Sequence, residues 1–482
     1  SDKTEASNPP ETSKSAESGE ANKTDELKEV KLTWYYRAEP MVDQDKVFEE
    51  ANKIIKEEIN ATVNFVPIAP GEYDQKMQTK YAAGDAGDIT WTSSWTNNYA
   101  QNIAKGAFIP IDNLLNEYAP TIKASMPEEH WKALQVEGET YGIPNIQLLT
   151  KTDQTRIRKD YADKHGLNPD EIVKLEDLEP WLTYLRAGEP KDVVYEWNGV
   201  GRFNNLQNYY GFDVLGSIAT IKVQEDTLKV MNIYETPEFE ENLQLAKRWV
   251  EAGYIADDGM TKKDQESERK AGKIIGDIRG NYKPGAEADA KDYWGTDMYV
   301  IPLSEPIITT GGITSTINSI TTSSKNPERS MMFLELLNSN AQLYNLISFG
   351  IEGEHYEVIG ENTIKFTENA SKYKVPNWLL GNITNGYLIE GQSSDTWIET
   401  LEMNKTAKES PALGFTFDIA PVKTQVAQVQ TVVDEYLPGL GCGVVDIDTV
   451  LPEFREKLKS AGADEIVAEA QKQIDEWAKN NK

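Results

Sequence analysis

The chain has 482 residues and a formal net charge of −30, from 79 acidic and 49 basic side chains. That length suggests two to four domains or one large bilobal body with an ample interior. The acidity argues against nucleic-acid partners, because backbone phosphates need clustered Lys and Arg; solubility is its plain explanation. Cys442 is the only cysteine, so no intrachain disulfide forms and the redox compartment stays open.

In chain order, residues 1–26 are rich in Ser, Glu, Lys, Asn, Thr and Pro, too polar to offset the entropy of ordering, and predict a flexible tether. Ser1 opens this tail with neither Met nor a signal peptide, which is expected of a processed form. Order begins at Val30, where Val30, Leu32, Trp34 and Tyr36 share one face with period two, as in a strand. Val47, Ala51, Ile54, Ile55 and Ile59 then recur at helical spacing, Val63 and Phe65 alternate before Pro67, and Tyr73, Met77 and Tyr81 follow at four-residue steps to Gly84. Strand, helix, strand, helix, strand predicts a parallel sheet with helices on both faces and ligands beyond the carboxyl ends of its strands.

Trp91 and Trp95 fall at such an end, among small polar residues. An indole partly open to solvent offers a broad apolar face to the C–H face of a sugar ring. The alternative for Trp91, at the strand end, is ordinary packing. Further on, Thr236-Pro237 caps a helix with Phe239, Leu243, Ala246 and Val250 inside, closed by Gly253, and Asn326-Pro327 opens another. Ile466, Ala470, Ile474 and Trp477 share one face of a C-terminal helix, so Trp477 is core. No stretch approaches the roughly twenty apolar residues of a bilayer span.

A pyranose needs stacking surfaces for its faces and planar polar groups for its hydroxyls. The ligand-binding candidates that combine both are Tyr36, Arg37, Trp91, Trp95, Asn97, Asn145, Gln147, Arg279, Tyr282, Trp294, Trp378, Asp395 and Trp397. Arg37, Arg202 and Arg279 could meet a carboxylate, but three scattered arginines do not establish one. No cofactor or metal is expected. His130, His165 and His355 lack paired ligand spacing, and Asp446-x-Asp448 lacks the glycine and terminal glutamate of a calcium loop, so it reads as turn capping. Catalysis is not expected either. Glu352 and Glu354 are an arbitrary pair in so acidic a chain, and neither a G-x-S-x-G elbow nor a P-loop is present. The alternatives kept open are a glycosidase and a surface carbohydrate-binding adhesin.

Several phrases together resemble the family 1 extracellular solute-binding proteins of carbohydrate ABC transporters, in particular the LipO-like lipoprotein subgroup. They run from Gly84-Asp85-x-x-Asp88-Ile89 and Trp95 through Lys105 to Asp112, Gly138 to Pro144, Trp249 to Ile255, Gly350 to Tyr356 and Gly414 to Asp418, ending at Leu458 to Gly462 and Glu469 to Trp477. The resemblance implies a two-lobed, periplasmic-binding-protein-like α/β fold with a hinge and an interlobe cleft. It implies an N-terminal lobe of 27–147 and 301–349 and a C-terminal lobe of 148–300 and 350–482, with crossings near Pro144–Ile146 and Tyr299–Pro302. It also implies a non-enzymatic, monomeric receptor that captures an oligosaccharide and hands it to ABC transporter permease subunits. Such a receptor is extracellular and lipid-anchored to the outer face of a Gram-positive cytoplasmic membrane, through a signal sequence and lipid-bearing cysteine expected before Ser1.

Overall fold

The computed structural model describes residues 27–197, 207–258 and 265–481. The tail expected over 1–26 lies outside these, as does Arg202.

Strand β1 (Val30–Arg37) alternates because Leu32, Trp34 and Tyr36 enter the core while the residues between stay partly open. Helix α1 (Gln44–Ile59) buries Val47, Phe48, Ala51, Ile55 and Ile59 on one face and stops where Asn60 turns left-handed at φ 45°. After β2 (Ala61–Ile68), α2 (Pro70–Ala83) starts at a proline and ends at Gly84, φ 65°. β3 (Ile89–Thr92) is buried at every residue, as a mid-sheet strand must be. The five elements occur in the order the hydrophobic pattern dictates.

The remaining strands, in order, are β4 (Ile143–Pro144), β5 (Gln154–Arg158), β6 (Val194–Glu196), β7 (Phe212–Gly216), β8 (Ala219–Lys222), β9 (Met231–Asn232), β10 (Ile274–Arg279), β11 (Met298–Pro302), β12 (Ile307–Ile308), β13 (Ile317–Ile320), β14 (Tyr356–Gly360), β15 (Thr363–Phe366), β16 (Leu388–Ile389) and β17 (Lys408–Glu409). The first sheet runs β2-β1-β3-β13-β4 and the second β11-β5-β10-β6. β1 lies parallel to β2 and β3, but β13 is antiparallel to both of its neighbours, so the first sheet is mixed where an all-parallel one was expected. The reason is topological: β13 belongs to the chain's return from the other lobe, and no local hydrophobic pattern encodes that direction.

Two lobes form because two sets of cores form. One core gathers residues from Leu32 to Leu149 and from Ile308 to Leu380. The other lobe is filled from Ile157 to Leu303 and from Ala412 to Ile474. Tyr373, Val375, Leu379 and Leu380 pack into the first core, which corrects the expectation that everything after 349 joins the second lobe. The C-terminal helix (Ala463–Asn481) buries Ile466, Ala470 and Ile474, with Trp477 half-buried against Phe415. In the helix Pro237–Glu251, the Thr236 hydroxyl accepts the Phe239 N–H, as the cap pattern predicts.

The lobes are joined by three chain passages lying side by side. Lys151 and Ile307 exchange both backbone hydrogen bonds, at 2.8 and 3.1 Å, and β12 pairs in parallel with β17. Gly312 sits beside this junction, where an added Cβ would come within 2.5 Å of the Leu149 carbonyl oxygen. The expected crossings are therefore displaced. Pro144 still pairs within the first sheet and Pro302 within the second, so the chain passes over a few residues later, and a third passage at Lys408–Glu409 had no sequence signal.

Candidate functional site

Between the lobes lies a cleft of about 670 Å³. Ser94, Trp95, Thr309 and Gly311 line it from the first lobe, Lys151 from the hinge, and Gln207, Asn208, Asp213, Arg279 and Asn281 among others from the second. The first-lobe wall is the loop beyond the carboxyl end of β3. The Ser93 hydroxyl accepts the Thr96 N–H, Ser94 N–H bonds to Thr314 O at 2.8 Å, and Ser94 Oγ bonds to Gly311 O at 2.9 Å. These bonds fix Trp95 at the mouth. The residue remains 54% exposed, an unusual state for so large an apolar side chain, and its Nε1 donates to Ser315 O at 2.9 Å. The Arg37 guanidinium lies 4.8 Å from the Trp95 ring centre. Trp91 and Trp378 support the ring from beneath, at centroid distances of 5.8 and 6.4 Å.

The sequence candidates separate into three groups. Trp95 and Arg279 line the cleft, and Arg37 and Trp378 brace Trp95. Another set is internal to the first lobe. Tyr36 is fully buried, and burial pushes its phenol far above its usual range. Trp91 is also fully buried, with Tyr73 and Trp378 against it, so of the two readings for Trp91, packing is the one the structure supports. Asn97, left-handed at φ 44°, spends its amide on Trp91 O and Tyr81 Oη. Asn145 donates to Trp378 O and accepts from Asn318, whose own amide oxygen takes the Trp34 indole N–H. Gln147 bonds to Thr316. These polar groups are spent on keeping a buried network satisfied.

The last set lies in or beside the second lobe and around the helix Thr396–Thr406. Trp294 is buried beneath Arg156 and Arg269, and Tyr282 packs half-buried next to the same small core. Asp395 is an exposed residue preceding the helix, and Trp397 is buried with its indole on Gly386 O at 3.0 Å. An aromatic followed by polar residues has the same signature whether its ring turns inward or outward, which is why Trp397 and Trp95 look alike in sequence.

Sequence reasoning missed Lys151 and Asp213. Lys151 has no motif around it; its place follows from the hinge. Desolvation holds its ammonium below the ordinary lysine value, against the pull of Asp153, and Nζ lies 3.3 Å from Asn281 Oδ1. Asp213 accepts from Ser410 on the third passage at 2.5 Å, and burial raises its carboxyl to about 6 despite that bond. The Gln207-Asn208 amides are a signal of the expected kind that was available and not used. For Arg279, desolvation opposes the charge, but Asp277 beside it prevails and raises the pKa.

His355 is fully buried, with Nδ1 accepting from Ile351 N at 2.9 Å and Nε2 at 3.1 Å from Asp43, which gives it a structural role. Asp43, Glu354 and His355 bring potential ligand atoms within 4.8 Å of one another, but the Lys46 ammonium already bridges Asp43 and Glu354. Asp446 precedes the helix Ile447–Ser460 and accepts from the Thr449 hydroxyl, consistent with a turn role. Among the described residues, no helix is long and apolar enough to cross a membrane.

Residues 411–479 match a family described as a domain of unknown function, DUF3502. A carbohydrate ABC transporter substrate-binding protein of Streptococcus pneumoniae serotype 4 is 28% identical over 444 residues, spanning 91% of this chain and 89% of that protein. The crystal structure of the N-glycan transport solute binding protein NgtS from Streptococcus pneumoniae is 26% identical, covers 94% of this chain and 100% of its own, and superposes with a TM-score of 0.85. The same protein in complex with Man5GlcNAc gives 0.74 at 27% identity, with the same coverage. The alginate-binding protein AlgQ2, at 18% identity and a TM-score of 0.65 over 93% of this chain and 98% of its own, shares the fold.

Proposed function

We propose that this chain, a substrate-binding protein of the carbohydrate ABC transporter class, captures an oligosaccharide between its lobes and delivers it to a membrane permease, making and breaking no bond. The observation that carries the reading is Trp95, a tryptophan more than half exposed at the mouth of an interlobe cleft whose opposite wall carries the amides of Gln207, Asn208 and Asn281 with Arg279 and Asp213. A sugar stacks its C–H face on the indole, and Asn208, Asn281, Arg279 and Lys151 meet its hydroxyls. Closure about Lys151, Ile307 and Lys408 then desolvates these contacts, and the permease distinguishes the closed form from the open one. The resemblance to the LipO-like lipoproteins extends the proposal to a monomer outside the cytoplasmic membrane, held by a lipid anchor in a Gram-positive cell.

Titration with mannose–N-acetylglucosamine oligosaccharides, followed by tryptophan fluorescence and small-angle scattering, tests this. Saturable quenching or enhancement, compaction and intact sugar at the end are expected, with a dissociation constant around micromolar, roughly −8 kcal/mol. Shorter products would favour a glycosidase. Binding only to polymer, without compaction, would favour an adhesin.

A further inference from the structure

Among the described residues, three guanidiniums gather where β10 meets the cleft, and two carboxylates, Asp277 and Glu196, answer them. Arg156, on β5, spans Asp277 with Nε–Oδ1 at 2.8 Å and a terminal nitrogen on Oδ2 at 2.5 Å, a bidentate fork that fills the carboxylate. Arg279 reaches the same Oδ2 through Nε at 3.1 Å. Arg269 pairs with Glu196 at 3.0 Å. All three lie against the Tyr293 ring, at 5.0, 5.2 and 5.8 Å for Arg156, Arg269 and Arg279.

The surplus charge resides on Arg279. The Arg156 and Arg269 side chains are 12% and 13% exposed and each has a carboxylate to itself or nearly so, whereas the Arg279 side chain is 45% exposed and lines the cleft. Its Nε faces Asp277 and one terminal nitrogen lies 3.4 Å from the Tyr293 hydroxyl, so a guanidinium with five N–H donors keeps donors to spare for a ligand. Lys151 lines the same cavity against a neutral amide oxygen. Among the described lining residues the one carboxylate is Asp213, engaged by Ser410, and Asp153 stands behind the wall, within the field of Lys151 and 3.5 Å from the Asn208 amide. The described lining thus presents two cations, Arg279 and Lys151, to the cavity in a chain of net charge −30. Carboxylates bind vicinal hydroxyls as well as guanidiniums do, and this chain has them in abundance. Their scarcity on this wall fits a ligand that brings its own.

Building on the oligosaccharide-receptor reading, we infer that the cleft selects a saccharide bearing a carboxylate, which Arg279 engages with its terminal fork while Lys151 adds a second positive charge. Sialic acids and hexuronic acids share this chemistry.

The test is calorimetry on the full chain with acid and methyl-ester pairs of a sialylated and of a hexuronic-acid trisaccharide, alongside a neutral mannose–N-acetylglucosamine oligosaccharide. In at least one pair the acid is expected to bind tenfold or more tightly than its ester. That gap should fall below twofold in Arg279→Gln, whose fold should persist with a modestly lower melting temperature because Arg156 still holds Asp277, and should shrink with added salt. Equal binding of acid and ester in both pairs, or binding of the neutral glycan alone, overturns the inference and leaves the receptor reading standing. Absence of binding by every saccharide removes both.

Discussion

Truncating Trp95 to alanine isolates the contact on which the functional reading rests. The residue is 54% exposed, so of the roughly 250 Å² a tryptophan can bury, about 130 Å² is on offer in the open cleft. A pyranose covering half of that removes about 65 Å² from the indole and a similar area from itself. At about 25 cal/mol per Å² the gross gain is roughly 3 kcal/mol, and imperfect overlap halves it at the lower end. The expected loss is therefore about 1.5–3 kcal/mol, or roughly ten- to hundredfold in Kd. Stability should fall too, by up to about 3 kcal/mol, because the remaining area of about 120 Å² packs on Trp91, Trp378 and Arg37. The indole gives up one hydrogen bond to Ser315 O, worth about 1 kcal/mol, in a place where solvent can replace it. Isothermal titration of the wild type and Trp95→Ala with the same oligosaccharide, with thermal melts of both, measures the two quantities separately. Affinities within twofold of each other, measured at a temperature below both melts, would refute the stacking argument.

Two further outcomes follow from the site's polar groups. Asn145→Ala removes the partner of Asn318 and the donor to Trp378 O, so stability should fall by about 1–3 kcal/mol while Kd stays within threefold; a tenfold loss of affinity at unchanged stability would return Asn145 to the ligand wall. Asp213 titrates near 6 in the folded chain against an ordinary 3.8, so the folded state holds that proton more tightly than the unfolded one. The resulting penalty is absent below about pH 4, grows between about pH 4 and 6, and reaches roughly 3 kcal/mol above that. Asp213→Asn, which keeps a partner for Ser410, should be the more stable protein at pH 7 by up to that amount and match the wild type at pH 4. Urea unfolding across that range decides it, and a difference independent of pH would contradict the assignment.

Much of the first lobe was legible because its elements announce themselves locally. Period-two burial in β1, the stripe of α1 and the Gly84 stop need nothing from the rest of the chain. The direction of β13 and the third passage at Lys408 were not legible, since both depend on which lobe a distant segment rejoins, and two-residue strands carry no periodicity. The site divides in the same way. Trp95 could be nominated from its polar neighbours, but the same pattern nominated Trp91 and Trp397, whose rings turn inward. Polar residues at strand ends, such as Asn97 and Asn145, serve the network beneath the tryptophans as readily as a ligand above them. Lys151 and Asp213 become visible only once three remote segments meet.

The triple junction also governs how the molecule can move. A single tether would let the halves swivel, slide and splay, whereas three bridges laced edge to edge through amide pairs resist twisting and shear and leave bending as the soft coordinate. Trp95 and Arg279 therefore approach along one fixed arc, and a bound chain is met by the same pair of surfaces on every cycle.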